Sequence, residues 1–171
     1  MKEMARYGMT LALICSVASA SLAAVNGLTK SKIIAQAKIE EELSLKEVFP
    51  EAARFEPVYA GNDIAYYKAL DTTDAFIGVA FKAFGKGYSS SVETMVAMSK
   101  EATIKAIKVL SQNETPGLGA RVIEASFTRQ FSDKAITQLD QVQAITGATI
   151  SSHAVIDAVK KKAQEIKLLL P

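Results

Sequence analysis

The chain has 171 residues, of which 49% are hydrophobic and 22% are charged. That composition is typical of a globular protein and excludes the disordered class. The formal net charge is only +2, and the basic residues are interspersed with acidic ones, which excludes a basic surface for nucleic acid.

Cys15 and His153 are the only cysteine and the only histidine. The chain alone therefore offers no disulfide, and it lacks the multi-histidine or thiolate sets that hold zinc, iron or haem. We expect no metal site, so an organic cofactor is the remaining route to redox chemistry.

The N-terminal segment has no charged residue between Arg6 and Lys30. As a helix, residues 7–28 are long enough to cross the hydrocarbon core of a membrane. Residues 18–20 (Ala-Ser-Ala) also match a signal-peptidase site, so a cleaved signal peptide competes with a retained anchor. Residues 1–6 form a short tail that we expect to stay in the cytoplasm, which places the globular part on the periplasmic or outer face.

Residues 29–50 have apolar residues at helical spacing. Thr29 is a permitted N-cap, and Pro50 cannot continue a helix. This linker helix is either a plain stalk or a helix that packs on partner subunits.

Residues 51–171 are enough for one domain. Four short runs bounded by turn residues predict strands with short, mainly antiparallel connections, at 65–70, 76–81, 92–97 and 104–109. Helical spacing follows over 122–131, with a turn at 133–134, and a final helix carries an apolar stripe from Val155 to Leu170. The predicted fold class is α+β, with an N-terminal membrane helix and a mainly antiparallel sheet flanked by helices.

Two stretches of this domain carry candidate binding residues. In Glu114-Thr115-Pro116-Gly117-Leu118-Gly119, the Pro-Gly step predicts a type II turn whose backbone allows close approach to a flat ligand. In the stretch from Thr146 to Ser152, Thr146 is a permitted N-cap of the final helix and the hydroxyl of Thr149 lies in its first turn. Such a helix start is either a simple cap or a site for an anion such as a phosphate. His153, four residues after Thr149, lies on the same face of the helix.

Both stretches resemble motifs of the FMN-binding domain family. The segment Thr146-Gly147-Ala148-Thr149-Ile150-Ser151 is similar to the family signature Ser/Thr-Gly-Ala-Thr-x-Ser/Thr, in which the last threonine carries FMN through a phosphoester bond. The segment 114–119 is identical to the Glu-Thr-Pro-Gly-Leu-Gly loop of that family, and residues 87–92 resemble its Gly-Tyr-x-Gly-x-Ile segment. Ser90 and Gln143 depart from the pattern, since the family commonly has Gly and Asp there; Asp140 is a possible substitute for that Asp.

The resemblance implies a set of cofactor-binding residues and partners. It makes Thr149 the covalent attachment site, and nothing within the motif would activate its hydroxyl, so a separate flavin transferase is expected to form the bond. The implied flavin-binding residues are Thr146, Gly147, Ala148, Thr149, Ser151, Glu114, Thr115, Gly117, Leu118 and Gly119.

The resemblance further indicates an electron carrier without a catalytic residue or substrate of its own. The best match is the G subunit of an Rnf-type complex in a bacterial cell membrane, which works with other membrane subunits to couple electron flow between ferredoxin and NAD to ion transport. Two alternatives remain: the C subunit of the sodium-pumping NADH:quinone reductase, or a membrane-tethered binding or adhesion domain without covalent flavin.

Overall fold

A computed structural model describes residues 2–61 and 63–170. The chain divides into two units, Met1–Glu40 and Glu41–Pro171. The first unit is helical and the second contains the sheet.

Helix α1 runs without interruption from Lys2 to Val48. Its apolar part is long and hydrophobic enough to cross a membrane, judged by length and composition. Thr29 does not cap a second helix, because its hydroxyl donates to the carbonyl of Val25 (2.9 Å) within the continuing helix. A threonine can be accommodated inside a helix by this bond to the preceding turn, and the predicted helix start at residue 29 is therefore wrong. The helix ends at Val48, two residues before Pro50.

The last turns of α1 belong to the sheet-containing unit. Leu45, Val48 and Phe49 are buried, and they pack in one cluster with Ala80 of the sheet and its neighbours. The second unit thus begins near residue 41, whereas the sequence prediction placed its start at residue 51.

Within the described residues, six strands form one sheet in the order of the sequence, and every neighbouring pair is antiparallel. They are β1 (Arg54–Ala60), β2 (Asp63–Leu70), β3 (Phe76–Lys86), β4 (Ser91–Ser99), β5 (Thr103–Ser111) and β6 (Lys134–Ala135). The four predicted strands are confirmed as parts of β2 to β5. The sequence prediction gave no strand run for β1, an edge strand with mostly exposed residues and a proline at its centre, or for the two-residue β6, where it placed a turn.

The segment after β5 is irregular until the final helix. It contains 3₁₀ turns at Gly119–Ile123, Arg129–Phe131 and Ile136–Gln141, and one short helix, α2 (Ala125–Thr128). The predicted helix over 122–131 is thus broken into three pieces. Helix α3 (Thr149–Lys167) then packs on the sheet face opposite the last turns of α1 (residues 41–48), and its residues Val155, Val159, Ala163 and Ile166 are buried as predicted.

The end of α1 (residues 41–48) and α3 thus lie on opposite faces of the sheet. Gly85 of β3 lies against α3, where a Cβ would come within 2.0 Å of the Ala154 carbonyl oxygen. This contact fixes the first turns of α3 over the end of β3. The start of α3 and the loops beyond β3 and β5 consequently meet at one end of the domain.

Candidate flavin site

The loop after β5 contains the predicted Pro-Gly turn. Leu118 donates its N–H to the carbonyl of Thr115 (3.1 Å), which closes the turn. Gly117, at its third position, has a φ of +76°, as a type II turn requires. The turn is therefore of the predicted type.

Glu114 is the centre of the hydrogen bonding around this loop. Its side chain is buried, and its carboxylate accepts the N–H groups of Tyr88 (3.1 Å), Ser89 (3.0 Å) and Ser90 (2.8 Å). It also accepts the hydroxyl of Ser151 on α3, at 2.5 Å. One carboxylate thus joins the β3–β4 turn, the 114–119 loop and the start of α3. The resemblance implied that Glu114 binds the flavin, and these bonds show that its carboxylate holds the loop in place.

The charge of Glu114 is stabilised by these donors. Burial by itself would raise its pKa, but the hydrogen bonds from Ser151 and from the backbone of Ser90, Ser89 and Tyr88 outweigh it and lower the pKa from 4.5. Glu114 is consequently an anion at neutral pH, held without a cationic partner among the described residues.

Two glycines make room for this carboxylate. A Cβ on Gly119 would lie 2.5 Å from the Ser151 hydroxyl and 2.7 Å from a Glu114 oxygen, and a Cβ on Gly87 would lie 2.5 Å from the other Glu114 oxygen. These positions therefore require glycine for space. Close packing on Glu114 is a reason for both glycines that the sequence did not reveal.

Ser90 fits the turn in which the resembling family commonly has glycine. Its φ is not positive, so the turn does not need a glycine there. The Ser90 hydroxyl accepts the N–H of Asn113 (2.8 Å), and this bond adds a second link between the turn and the segment before Glu114.

Helix α3 begins later than predicted. Its first residue is Thr149 and its N-cap is Ala148, which provides no side-chain cap. Thr146 lies before the helix in a tight turn, in which Gly147 has a φ of +81° and Ala148 donates to the carbonyl of Ile145 (2.9 Å). The prediction of Thr146 as N-cap is therefore wrong, because the turn uses residues 145–148 before the helix starts.

A buried serine closes that turn. Ser152 accepts the N–H of Ile145 (3.0 Å) and donates to the carbonyl of Ala148 (2.9 Å). The N–H of Ser152 also bonds to the Ala148 carbonyl, which is the first hydrogen bond of the helix. The N–H groups of the three earlier residues, Thr149, Ile150 and Ser151, therefore have no carbonyl partner within the helix. The turn thus leaves these donors at the mouth of the helix, where the helix dipole favours an anion.

A pocket of about 420 Å³ lies where these segments meet. It is lined by Tyr88, Glu114, Thr115, Leu118, Gly119, Gly147, Ala148, Thr149, Ile150 and Ser151. Eight of the ten predicted residues therefore line one pocket, and Thr146 and Gly117 do not. Tyr88 and Ile150 also line the pocket, although they were not predicted. Both are large side chains with apolar surface within the resembling motifs, and this could have identified them as candidates for contact with a flat ring.

The remaining sequence candidates lie outside this pocket. His153 is exposed and does not line it. Gln143 is exposed and exchanges hydrogen bonds with Gln130, donating its N–H at 2.8 Å. Asp140 is bound by the ammonium of Lys160, at 2.6 and 2.7 Å.

The pocket meets the requirements of a phosphate-bearing planar ligand. Thr149 is exposed, so its hydroxyl is accessible at the helix mouth. Gly147 and Ala148 leave the approach to it open, and Tyr88, Leu118 and Ile150 are large exposed apolar surfaces around the same space. Its volume lies within the range of small-molecule sites.

Family models match both parts of the chain. Residues 87–164 match the FMN-binding domain and residues 1–48 match the RnfG N-terminal region. The first match spans the β3–β4 turn, the 114–119 loop and α3, and the second coincides with α1.

Relatives match over nearly the full length. The chain is 34% identical to the G subunit of an ion-translocating oxidoreductase complex of Methanosarcina acetivorans, over 92% of each chain. It is 30% identical to the G subunit of a proton-translocating ferredoxin:NAD(+) oxidoreductase complex of Clostridium ljungdahlii, over 91% of this chain and 88% of that one.

The fold also has a counterpart among crystal structures. Shewanella oneidensis NqrC superposes with a TM-score of 0.50 over 71% of this chain and 74% of that one, at 19% identity. This likeness confirms the α+β fold class. With the apolar helix at the N-terminus and the full-length matches, the chain belongs to the family of membrane-anchored, FMN-binding G subunits of ion-translocating oxidoreductase complexes.

Proposed function

We propose that this chain is an electron-transfer subunit that carries FMN on the hydroxyl of Thr149 through a phosphoester bond. It would work within an Rnf-type membrane complex that couples electron flow between ferredoxin and NAD to ion translocation. The observation that carries the proposal is the exposed Thr149 in the first turn of α3, in one pocket with the 114–119 loop.

The chemistry of the helix mouth supports Thr149 as the attachment point. A phosphate on its hydroxyl would lie beside the N–H groups of Thr149, Ile150 and Ser151, which have no carbonyl partner within the helix. The positive end of the 19-residue helix adds a favourable field. The ring system would then rest between the loop and the apolar side chains of Tyr88 and Leu118. Bound FMN would accept and donate electrons, and the protein would hold the ring and set its environment.

The pocket contains no group that would activate the threonine. Glu114 is its only carboxylate, and both carboxylate oxygens are already occupied by hydrogen bonds. We therefore propose that a flavin transferase forms the bond from FAD. In that transfer the threonine oxygen bonds to the FMN phosphorus, the pyrophosphate bond breaks, AMP leaves and the hydroxyl proton passes to the transferase.

We further propose that α1 holds the domain on the outer face of the membrane. A covalent tether suits that location, because a cofactor that dissociated there would be lost.

In-gel flavin fluorescence after denaturation tests the attachment. The full-length chain, co-expressed with a flavin transferase, should give a fluorescent band that Thr149→Ala abolishes. Thr146→Ala is the matched control: it removes a neighbouring hydroxyl that lies outside the helix and the pocket, so its band should remain. A wild-type chain without a band, or a Thr149→Ala band of wild-type intensity, would refute the covalent assignment.

Purification of the tagged chain in mild detergent tests the complex. The other components of a ferredoxin- and NAD-linked complex should copurify. Recovery of a quinone reductase would instead support the alternative, the C subunit of that enzyme. The likeness of that C subunit to this chain is at the level of fold, whereas the two relatives described above, at 34% and 30% identity, are G subunits.

A further inference from the structure

The sheet opens between β2 and β3 at one end. The β2–β3 ladder runs from the Leu70–Phe76 pair to the Tyr67–Ala80 pair and then ends. Strand β3 continues to Lys86, paired with β4, whereas the first residues of β2 pair with β1. A cleft of about 700 Å³ lies in the gap, larger than the flavin pocket. We call it the β2–β3 cleft; β2, β3 and α3 line it, together with Tyr59 of β1 and Glu41 near the end of α1.

The backbone of β3 presents unpaired hydrogen-bonding groups to this cleft. The Ile77 carbonyl accepts from Lys100 (3.2 Å) and the Gly87 N–H donates to Ser90 (2.8 Å), so both groups point to the β4 side. Backbone groups alternate in direction along an antiparallel strand. The N–H and C=O groups of Lys82, Phe84 and Lys86 therefore point the other way, into the cleft, where the described residues include no paired strand.

The middle of this edge lacks the protection that the outer edge of the sheet has. Strand β1, which forms that outer edge, has Pro57 at its centre. On β3, the side chain of Lys82 is drawn away into ion pairs with two glutamates, at 3.0 and 3.3 Å. Phe84 beside it is 63% exposed. Proteins guard exposed strand edges with proline or free charge. The middle of this edge instead presents an aromatic ring, and Lys86, which has no ion pair among the described residues, lies only at the end of the strand.

The cleft is lined by three acidic and three basic residues: Glu41, Asp63, Glu165, Lys82, Lys161 and Lys162. Lys82 and Lys162 are paired with Glu41 and Glu165, which leaves Asp63 on β2 and Lys161 on α3 without an ion pair in the described part of the chain. Lys161 of α3 lines the cleft, is exposed and has no acidic partner among the described residues. Lys86, at the end of the open edge, is likewise exposed and without an ion pair in the described part of the chain. A strand that pairs with β3 would turn alternate side chains toward α3 and toward Phe84.

We propose that an extended segment of another subunit of the complex adds to the open edge of β3 as a further strand. Its apolar residues would pack on Phe84, and an acidic residue on its other face would bind Lys161. The proposal relies on the proposed function in one respect, namely that the chain works within a multi-subunit complex. It does not depend on the flavin.

Photo-crosslinking in the assembled complex tests the contact directly. The tagged full-length chain, co-expressed with the other subunits, would carry benzoylphenylalanine at position 84 or, as a control of similar exposure outside the cleft, at Ile123. We expect an adduct at position 84 that mass spectrometry maps to one segment of another subunit, with alternating apolar and acidic residues. An adduct to a second copy of this chain, an adduct to lipid, or a yield no higher than at the control would overturn the proposal.

Substitutions separate backbone pairing from side-chain contact. Phe84→Pro removes an N–H that points into the cleft and leaves the β3–β4 ladder intact, whereas Phe84→Ala keeps the N–H. Copurification of the crosslinked partner should fall at least about tenfold with Phe84→Pro and less with Phe84→Ala. Lys161→Glu should weaken it, and Lys167→Glu, on the same helix outside the cleft, should not.

The flavin band serves as the fold control. Each variant should keep the in-gel flavin fluorescence of wild type, which shows that the domain folded and was loaded. Equal copurification of wild type and a flavin-loaded Phe84→Pro variant would refute strand addition. A wild-type chain without flavin would count against the proposed function alone, since the crosslink at position 84 would still report the contact.

Discussion

Replacement of Glu114 by alanine should destabilise the sheet-containing unit by about 3 kcal/mol. A hydrogen bond to a charged group contributes about 1.5–3 kcal/mol. Tyr88 and Ser89 are exposed, so water can replace the carboxylate at their N–H groups. The bonds to Ser90 and to the buried Ser151 are the ones whose loss is not offset by water.

Glu114→Gln is the graded comparison. An amide oxygen in the place of the carboxylate oxygen that faces Ser89 and Ser90 would keep those bonds. The amide nitrogen would then face two groups. The hydroxyl of Ser151 can turn and accept a hydrogen bond from it, but the N–H of Tyr88 is a donor and would lose its acceptor. We expect a loss of about 1 kcal/mol, roughly a third of that for alanine.

Thermal unfolding of the full-length chain in detergent measures both effects. For a domain of this size, 3 kcal/mol corresponds to a fall of about 10 °C in Tm. The difference between wild type and Glu114→Gln also depends on pH. Folding lowers the pKa of Glu114, so its ionised form stabilises the folded domain. This contribution to the free energy of unfolding is complete above the pKa of the unfolded chain, about 4.5, and disappears as the pH falls through the lower pKa of the folded domain. A Glu114→Ala variant within about 0.5 kcal/mol of wild type at neutral pH would refute the anchoring role.

Three further substitutions, two of them with a matched control variant, test other parts of the domain by the same unfolding measurement. Gly119→Ala should cost about 1–3 kcal/mol by overpacking on the carboxylate, whereas Gly117→Ala has open space and should cost only about 1 kcal/mol of backbone strain. Phe49→Ala should cost about 3–5 kcal/mol, because Phe49 is buried in the domain core. Its control is Leu43→Ala, which should cost less than about 0.5 kcal/mol because Leu43 is exposed. Equal losses in the two variants would show that the end of α1 is not part of that core. Lys160→Ala breaks a partly exposed ion pair and should cost at most about 1 kcal/mol, less at high salt.

The sequence predicted those features that local chemistry determines. Short runs bounded by turn residues identified four strands, and the Pro-Gly step identified the turn at Gly117. The motif resemblance brought together the 114–119 loop and Thr149, which line one pocket.

Features that depend on contacts distant in the sequence were not predicted. Glu114 bonds to residues 24 to 37 positions away, and no local pattern reports such bonds. The start of α3 was misplaced because Gly147 adopts a positive φ and Ser152 stabilises the turn before the helix. The continuity of α1 past Thr29 was missed because a good N-cap residue can equally bond within a helix.

The Glu114 bonds also bear on the order of events during maturation. They join three separate stretches of polypeptide using only groups that the chain itself supplies, so the cavity around Thr149 can form before any cofactor arrives. A loading enzyme would then meet a threonine presented on a finished surface, and its recognition would depend on shape as well as on the local sequence. Unfolded or truncated versions of the chain should accordingly be poor acceptors, so flavin loading would act as a quality check that only correctly folded copies pass.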